Sequence, residues 1–182
     1  MYVGLGKSDR KRINSILVLP GSKNFMTAGV KCHLKSWNIA GATIKAKDSC
    51  PKGISQAHFF SNLTQTAPEG APGNIFASCS DGNIYTLGPA GGAVGAPTKM
   101  HTKPIYACKV VQGGTGDMLL TGSFDRTIKI STITGSKLAT VTTIQTGSGD
   151  MAIPRSLDFM NGKLLVGMAN GTIGEFTLDA QF

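Results

Sequence analysis

The sequence predicts an all-β fold, a β-propeller of about four blades with the last one incomplete, and three observations predict it. Short apolar runs are punctuated by 24 glycines and eight prolines in 182 residues, the composition of many strands joined by tight turns. Four segments align over fifteen residues without gaps: FMTAGVKCHLKSWNI from Phe25, IFASCSDGNIYTLGP from Ile75, LLTGSFDRTIKISTI from Leu119 and LLVGMANGTIGEFTL from Leu164. Their starts lie 50, 44 and 45 residues apart. A strand meander repeating every 40 to 50 residues is the sequence mark of a propeller blade.

Each aligned segment reads as a hairpin. The tenth position is always aliphatic, as Leu34, Ile84, Ile128 and Ile173, and the fourth is always small, as Ala28, Ser78, Gly122 and Gly167. Small residues let neighbouring sheets approach face to face. The hairpin turns are Asp81-Gly82, Asp125-Arg126 and Asn170-Gly171, residue types that tolerate the backbone angles of tight turns; Lys31-Cys32 is the odd one.

Taken in order, a basic lead-in (1–14) precedes blade 1 (15–54), blade 2 (55–100), blade 3 (101–147) and blade 4 (148–182). Expected strands cover 13–19, 25–29, 34–39 and 43–47 around blade 1. Blade 2 opens at 55–61, crosses a polar loop at 64–73, and continues at 75–79, 83–87 and a ragged strand near 93–98. Blade 3 takes 105–111, 118–123, 127–133 and 137–144. Blade 4 has three strands, 155–160, 163–168 and 172–178, and lacks its outer one. One reading has a short strand from residues 1–6 complete it as a small ring; the preferred expectation is completion by further propeller blades from another chain or from additional sequence.

Charge is unevenly placed. Residues 1–52 carry ten Lys or Arg against Asp9 and Asp48, a balance of +8, whereas residues 53–182 carry eight of each sign. Such asymmetry steers acidic partners. Lys31 and Lys35 flank the first hairpin and Lys45 and Lys47 alternate on the outer strand, so these four, with Lys7, Arg10, Lys11 and Arg12 of the lead-in, are the candidate partner-binding residues. Nucleic acid is disfavoured as a partner because the aromatics do not interleave with the lysines as stacking platforms would.

Little chemistry is on offer. Gly6-Lys7-Ser8 lacks both the first glycine and the preceding strand of a phosphate loop. Cys32 and His33 are neighbours on a strand and point to opposite faces. The carboxylates are scattered over the blades with no acid and base pair. The expectation is a protein that is not an enzyme and uses no cofactor or metal. The four cysteines form no C-x-x-C pair and are read as reduced packing residues. No apolar run reaches the roughly 20 residues of a membrane helix, and the first dozen residues lack the apolar stretch of a signal peptide. A cytoplasmic protein without membrane contact is expected.

The turn aspartate, the aliphatic residue three positions on and the slot three beyond resemble the WD-repeat blade. His101, Ser123 and Asp125 occupy positions of that family's bracing hydrogen-bond network, although its aromatic slot holds Ser131. The segment GVKCHLKSWNIAGATIKAK, from Gly29 to Lys47, resembles the G-V-K-H-x-K-F-W-x-x-A-G-x-x-L-x-x-K segment of the echinoderm microtubule-associated protein-like (EMAP-like) family. LLVGMANGTIGEF from Leu164 and MHTKPIYACKV from Met100 are similar to further blade motifs of the same family. Cys32 adds a residue to the first motif and Ser36 replaces its phenylalanine. The resemblance implies a structural protein binding tubulin and other cytoskeletal or axonemal proteins, located on the cytoskeleton, in a cilium or flagellum. The alternatives are a WD-repeat scaffold without direct tubulin contact and, more weakly, an RNA-binding blade.

Overall fold

In the computed structural model, residues 12–40, 43–66, 73–113 and 116–178 are described. They form four antiparallel sheets in sequence order. Blade 1 holds β1 (Ile13–Val18), β2 (Asn24–Gly29), β3 (His33–Ala40) and β4 (Thr43–Asp48). Blade 2 holds β5 (Phe60–Gln65), β6 (Ile75–Cys79), β7 (Asn83–Leu87) and the two-residue β8 (Thr98–Lys99). Blade 3 holds β9 (Ile105–Gly113), β10 (Gly116–Ser123), β11 (Thr127–Thr134) and β12 (Lys137–Gln145). Blade 4 holds β13 (Pro154–Met160), β14 (Lys163–Met168) and β15 (Ile173–Thr177).

The first strands of successive blades touch, β1 with β5, β5 with β9 and β9 with β13, which sets them on the inner side of an arc. Between β13 and β1 there is no contact of comparable extent among the described residues. Among the described residues the blades therefore stand as an arc whose end sheets are joined less closely than neighbouring ones.

Side-chain alternation builds the seams. At each seam the following face of one sheet packs on the leading face of the next. Met26, Ala28 and Leu34 of blade 1 meet Phe60, Leu63 and Ile75 of blade 2. Phe76 and Ile84 of blade 2 meet Ile105 and Leu119 of blade 3. Leu120, Ile128 and Ile130 of blade 3 meet Leu164 and Val166 of blade 4. The small fourth position has a direct cause at Gly122, where an added Cβ would lie 2.7 Å from the Pro154 Cβ of blade 4.

Two expectations are corrected. The first strand of blade 2 begins at Phe60 and not at residue 55, because 55–58 closes as a turn: Ala57 N–H donates to Ser55 Oγ and His58 N–H to the Ser55 carbonyl. The strand then runs on through Gln65, into the stretch expected as loop; residues 67–72 of that loop lie outside the described residues. Cys32 and Cys50 are joined as a disulfide, with Cα atoms 6.6 Å apart, and are not reduced. The end of β4 folds back on the start of β3 through the bond from Ser49 N–H to the Leu34 carbonyl, and that return sets the two cysteines side by side. Cys79 and Cys108 are free and buried, and burial pushes both thiols up to about 12, so they remain protonated packing groups. The short first segment considered for ring closure, residues 1–6, lies outside the described residues.

Candidate functional site

The turn end of blade 3 is organised by His101. Its Nδ1–H donates to Asp125 Oδ2 at 3.0 Å, and its Nε2 accepts from the Thr121 hydroxyl at 2.8 Å. Asp125 also accepts from Thr127 Oγ1 at 2.6 Å and from the backbone amides of Thr102 and Thr127. Burial lowers the His101 pKa against the opposing pull of Asp125, so the imidazole is neutral and the contact is a hydrogen bond to a carboxylate. Burial works against ionised Asp125, yet the bonds from Thr127 and the other donors leave its pKa lowered. Ser123 sits one residue pair away, donating to the backbone carbonyl of Pro104 at 2.9 Å and accepting from the Asp125 amide. Thr121, not singled out in the sequence, is the hydroxyl on His101.

Blade 1 has its own version. Trp37 Nε1–H donates to Thr27 Oγ1 at 2.8 Å, and that hydroxyl pairs with His33 Nε2 at 2.8 Å, all three side chains being buried. Thr27 aligns with Thr121, but here the histidine comes from the hairpin itself. Trp37 also stacks on Phe25 with ring centroids 5.8 Å apart. In blade 2 the turn aspartate Asp81 accepts from Tyr85 Oη at 2.7 Å and from Asn83. These networks fix the hairpin turns.

The predicted lysines divide between two surfaces. Lys31 occupies the β2–β3 turn with φ 53°, beside Cys32 at 54°. Lys35 lies opposite Asp48 on the face that carries Thr27. Lys45 and Lys47 lie opposite Asn38 and Ser36, on the other face, toward blade 2. Both line a groove of about 260 Å³ with Asn24 and Asn38 of blade 1 and Pro89 and Ala90 of blade 2. Arg12 is exposed just before β1, while Lys7, Arg10 and Lys11 lie outside the described residues.

A second surface had no signal in the sequence. At the ends of the inner strands nearest the His101 turn, Phe59, Tyr106 and Phe124 converge, with Phe59 and Tyr106 stacked at 6.3 Å and Tyr106 edge-on to Phe124 at 6.2 Å. The Arg155 guanidinium lies 4.1 Å from the Tyr106 ring centre, and the Lys103 ammonium lies 5.3 Å from that of Phe124. The rings are half-buried and both cations are exposed. An aromatic floor edged by two cations is suited to an acidic, partly apolar chain segment. Its residues come from blades 2, 3 and 4, so the frame must fold before the surface exists.

Among the described residues no group of three or more His, Cys, Asp or Glu is placed to hold a metal ion. No helix of the described residues is long and apolar enough to cross a membrane. A family profile described as "WD domain, G-beta repeat" matches residues 97–130, the stretch that carries the His101 network. No curated protein matches the chain. Among solved structures, the computationally designed Ika4 protein is similar at 15% identity with a TM-score of 0.64, over 93% of this chain and 92% of that one. The computationally designed Ika8 protein is similar at 16% identity with a TM-score of 0.65, over 91% of this chain but 46% of that one. The chain thus spans under half the length of the second. The fold is an all-β propeller of WD-repeat type, with four sheets of which the last has three strands, a fold that generally serves as a protein–protein scaffold.

Proposed function

We propose that the chain is a non-enzymatic scaffold that holds acidic protein surfaces against a rigid propeller frame. The observation that carries this is the Phe59, Tyr106 and Phe124 floor with Arg155 and Lys103 above it. Apolar rings supply contact area and the cations select carboxylates, each cation adding a modest, salt-sensitive increment. The groove with Lys45 and Lys47 offers a second positive surface on the same frame, and several weak contacts on one rigid body act together.

A finer reading takes the acidic partner to be the microtubule lattice, in the cytoskeleton of a cilium or flagellum. The residues favouring it are Gly29 to Lys47, through their resemblance to the EMAP-like segment, together with the two lysines that this segment turns toward the groove. Co-sedimentation with microtubules at rising salt tests it. Pelleting at low salt that fades as salt rises is expected, with loss on Lys45→Glu plus Lys47→Glu; no pelleting at low salt contradicts the tubulin reading. Capture of an immobilised poly-glutamate peptide tests the scaffold reading separately: Arg155→Glu is expected to abolish it at low salt, and unchanged capture would remove the platform from the account. Competing RNA should displace neither ligand; displacement would favour the basic first blade as an RNA site.

A further inference from the structure

We propose that two copies of the chain associate head to tail, the following face of blade 4 in each packing on the leading face of blade 1 in the other, to close a ring of eight sheets. The argument starts from one repeat position. Leu34, Ile84 and Ile128 are all fully buried, each on the face its blade turns to the next one, whereas the equivalent Ile173 is 78% exposed. Its neighbours across the ladder repeat the seam chemistry: Gly167 lies opposite Ile173 as Gly122 lies opposite Ile128, and Leu165 aligns with the buried Leu120. Blade 4 therefore carries a seam surface with no blade upon it among the described residues.

The complementary surface is on blade 1. Leu157 and Phe159 of β13 are half-buried against blade 3. Their register equivalents on β1, Ile16 opposite Thr27 and Val18 opposite Phe25, are 64% and 69% exposed. At every internal seam a following face meets a leading face. Among the described residues the chain exposes one of each: Ile16, Val18 and Ile173 all stay exposed, so the two faces do not cover one another within the arc. A second copy supplies both at once. A head-to-tail contact closes into a ring when the rotation completes a circle, and two such seams remove both open faces.

Extent agrees with this occupant. The four-sheet arc spans 46% of one solved chain of similar fold, and a second copy supplies a further arc of the same length.

Sedimentation velocity over a concentration series tests the proposal. The unaltered 182-residue chain is expected to reach twice the chain mass and stop there. Ile173→Glu is expected to yield a folded monomer by circular dichroism, and Val18→Glu likewise, because each removes one side of the same seam. Val141→Glu, at a 54% exposed position on the outer strand β12 of blade 3, should leave the dimer intact. If Ile173→Glu fails to fold, Ile173→Gln provides the same readout with a smaller change. A monomer at every concentration overturns the proposal, as does a mass that keeps growing past two or a dimer indifferent to both end-face substitutions.

Discussion

The seam between blades 3 and 4 and the uncovered face of blade 4 are made of the same residues in different circumstances. In the first, Leu120, Gly122 and Ile128 are sealed by Pro154, Leu157 and Leu164. In the second, Leu165, Gly167 and Ile173 repeat the pattern, and Ile173 stands 78% exposed. The difference lies in what stands opposite and not in the strand. A blade's sequence specifies two faces, and each face is finished only by a neighbour.

The largest effect that can break this comparison is cavity creation. Ile128→Ala should cost about 2–5 kcal/mol, while Ile173→Ala, measured at a concentration where the chain is monomeric, should cost under about 0.5 kcal/mol. Urea unfolding midpoints read both, and similar losses would mean that the blade 4 face is covered within one chain. Next is close approach: Gly122→Ala puts a methyl 2.7 Å from the Pro154 Cβ, and overpacking of this kind costs about 1–3 kcal/mol. An unchanged midpoint would show that Pro154 can withdraw and that the seam is looser than drawn.

Acid should act on the hairpin networks before the apolar seams. His101 has a lowered pKa when folded, so the unfolded chain takes up a proton near the ordinary value of 6.5 while the folded chain does not. Stability is then complete above about 6.5 and falls as pH drops toward the folded value. Asp81 and Asp125 also have lowered values when folded; their contribution is complete above the ordinary 3.8 and is lost as pH falls through the folded values. His101→Gln should abolish the first decline and keep the second, as read by urea midpoints between about pH 7 and 3. A small effect belongs to the end-face ion pair of Lys163 and Glu175, at 2.6 Å but half-exposed on both sides. Lys163→Ala should shift the unfolding free energy by under about 1 kcal/mol.

The repeat was legible because a hairpin is a local object. Turn residues, alternation and the aliphatic tenth position all lie within fifteen residues, and they placed β2–β3, β6–β7, β10–β11 and β14–β15. The features that escaped are those assembled across turns or blades. The Cys32–Cys50 bond depends on how β4 returns to β3. Thr121 and Ser123 both lie on the strand opposite His101, and composition does not tell which hydroxyl reaches the ring. The platform of Phe59, Tyr106, Phe124 and Arg155 draws one residue from each of four separated segments, so no window of sequence contains it. Lys35 and the pair Lys45 and Lys47 are separated by strand register, which places them on opposite faces of one sheet.

The central claim, that blade 4 presents an uncovered seam surface awaiting a second blade, is tested most directly by hydrogen exchange across a dilution series. Strands β10 and β11, whose seams lie within one chain, should stay protected at every concentration. Strand β15, which carries the exposed Ile173, should be protected when the chain is concentrated and lose that protection on dilution. Dilution-independent protection of β15 would contradict the account.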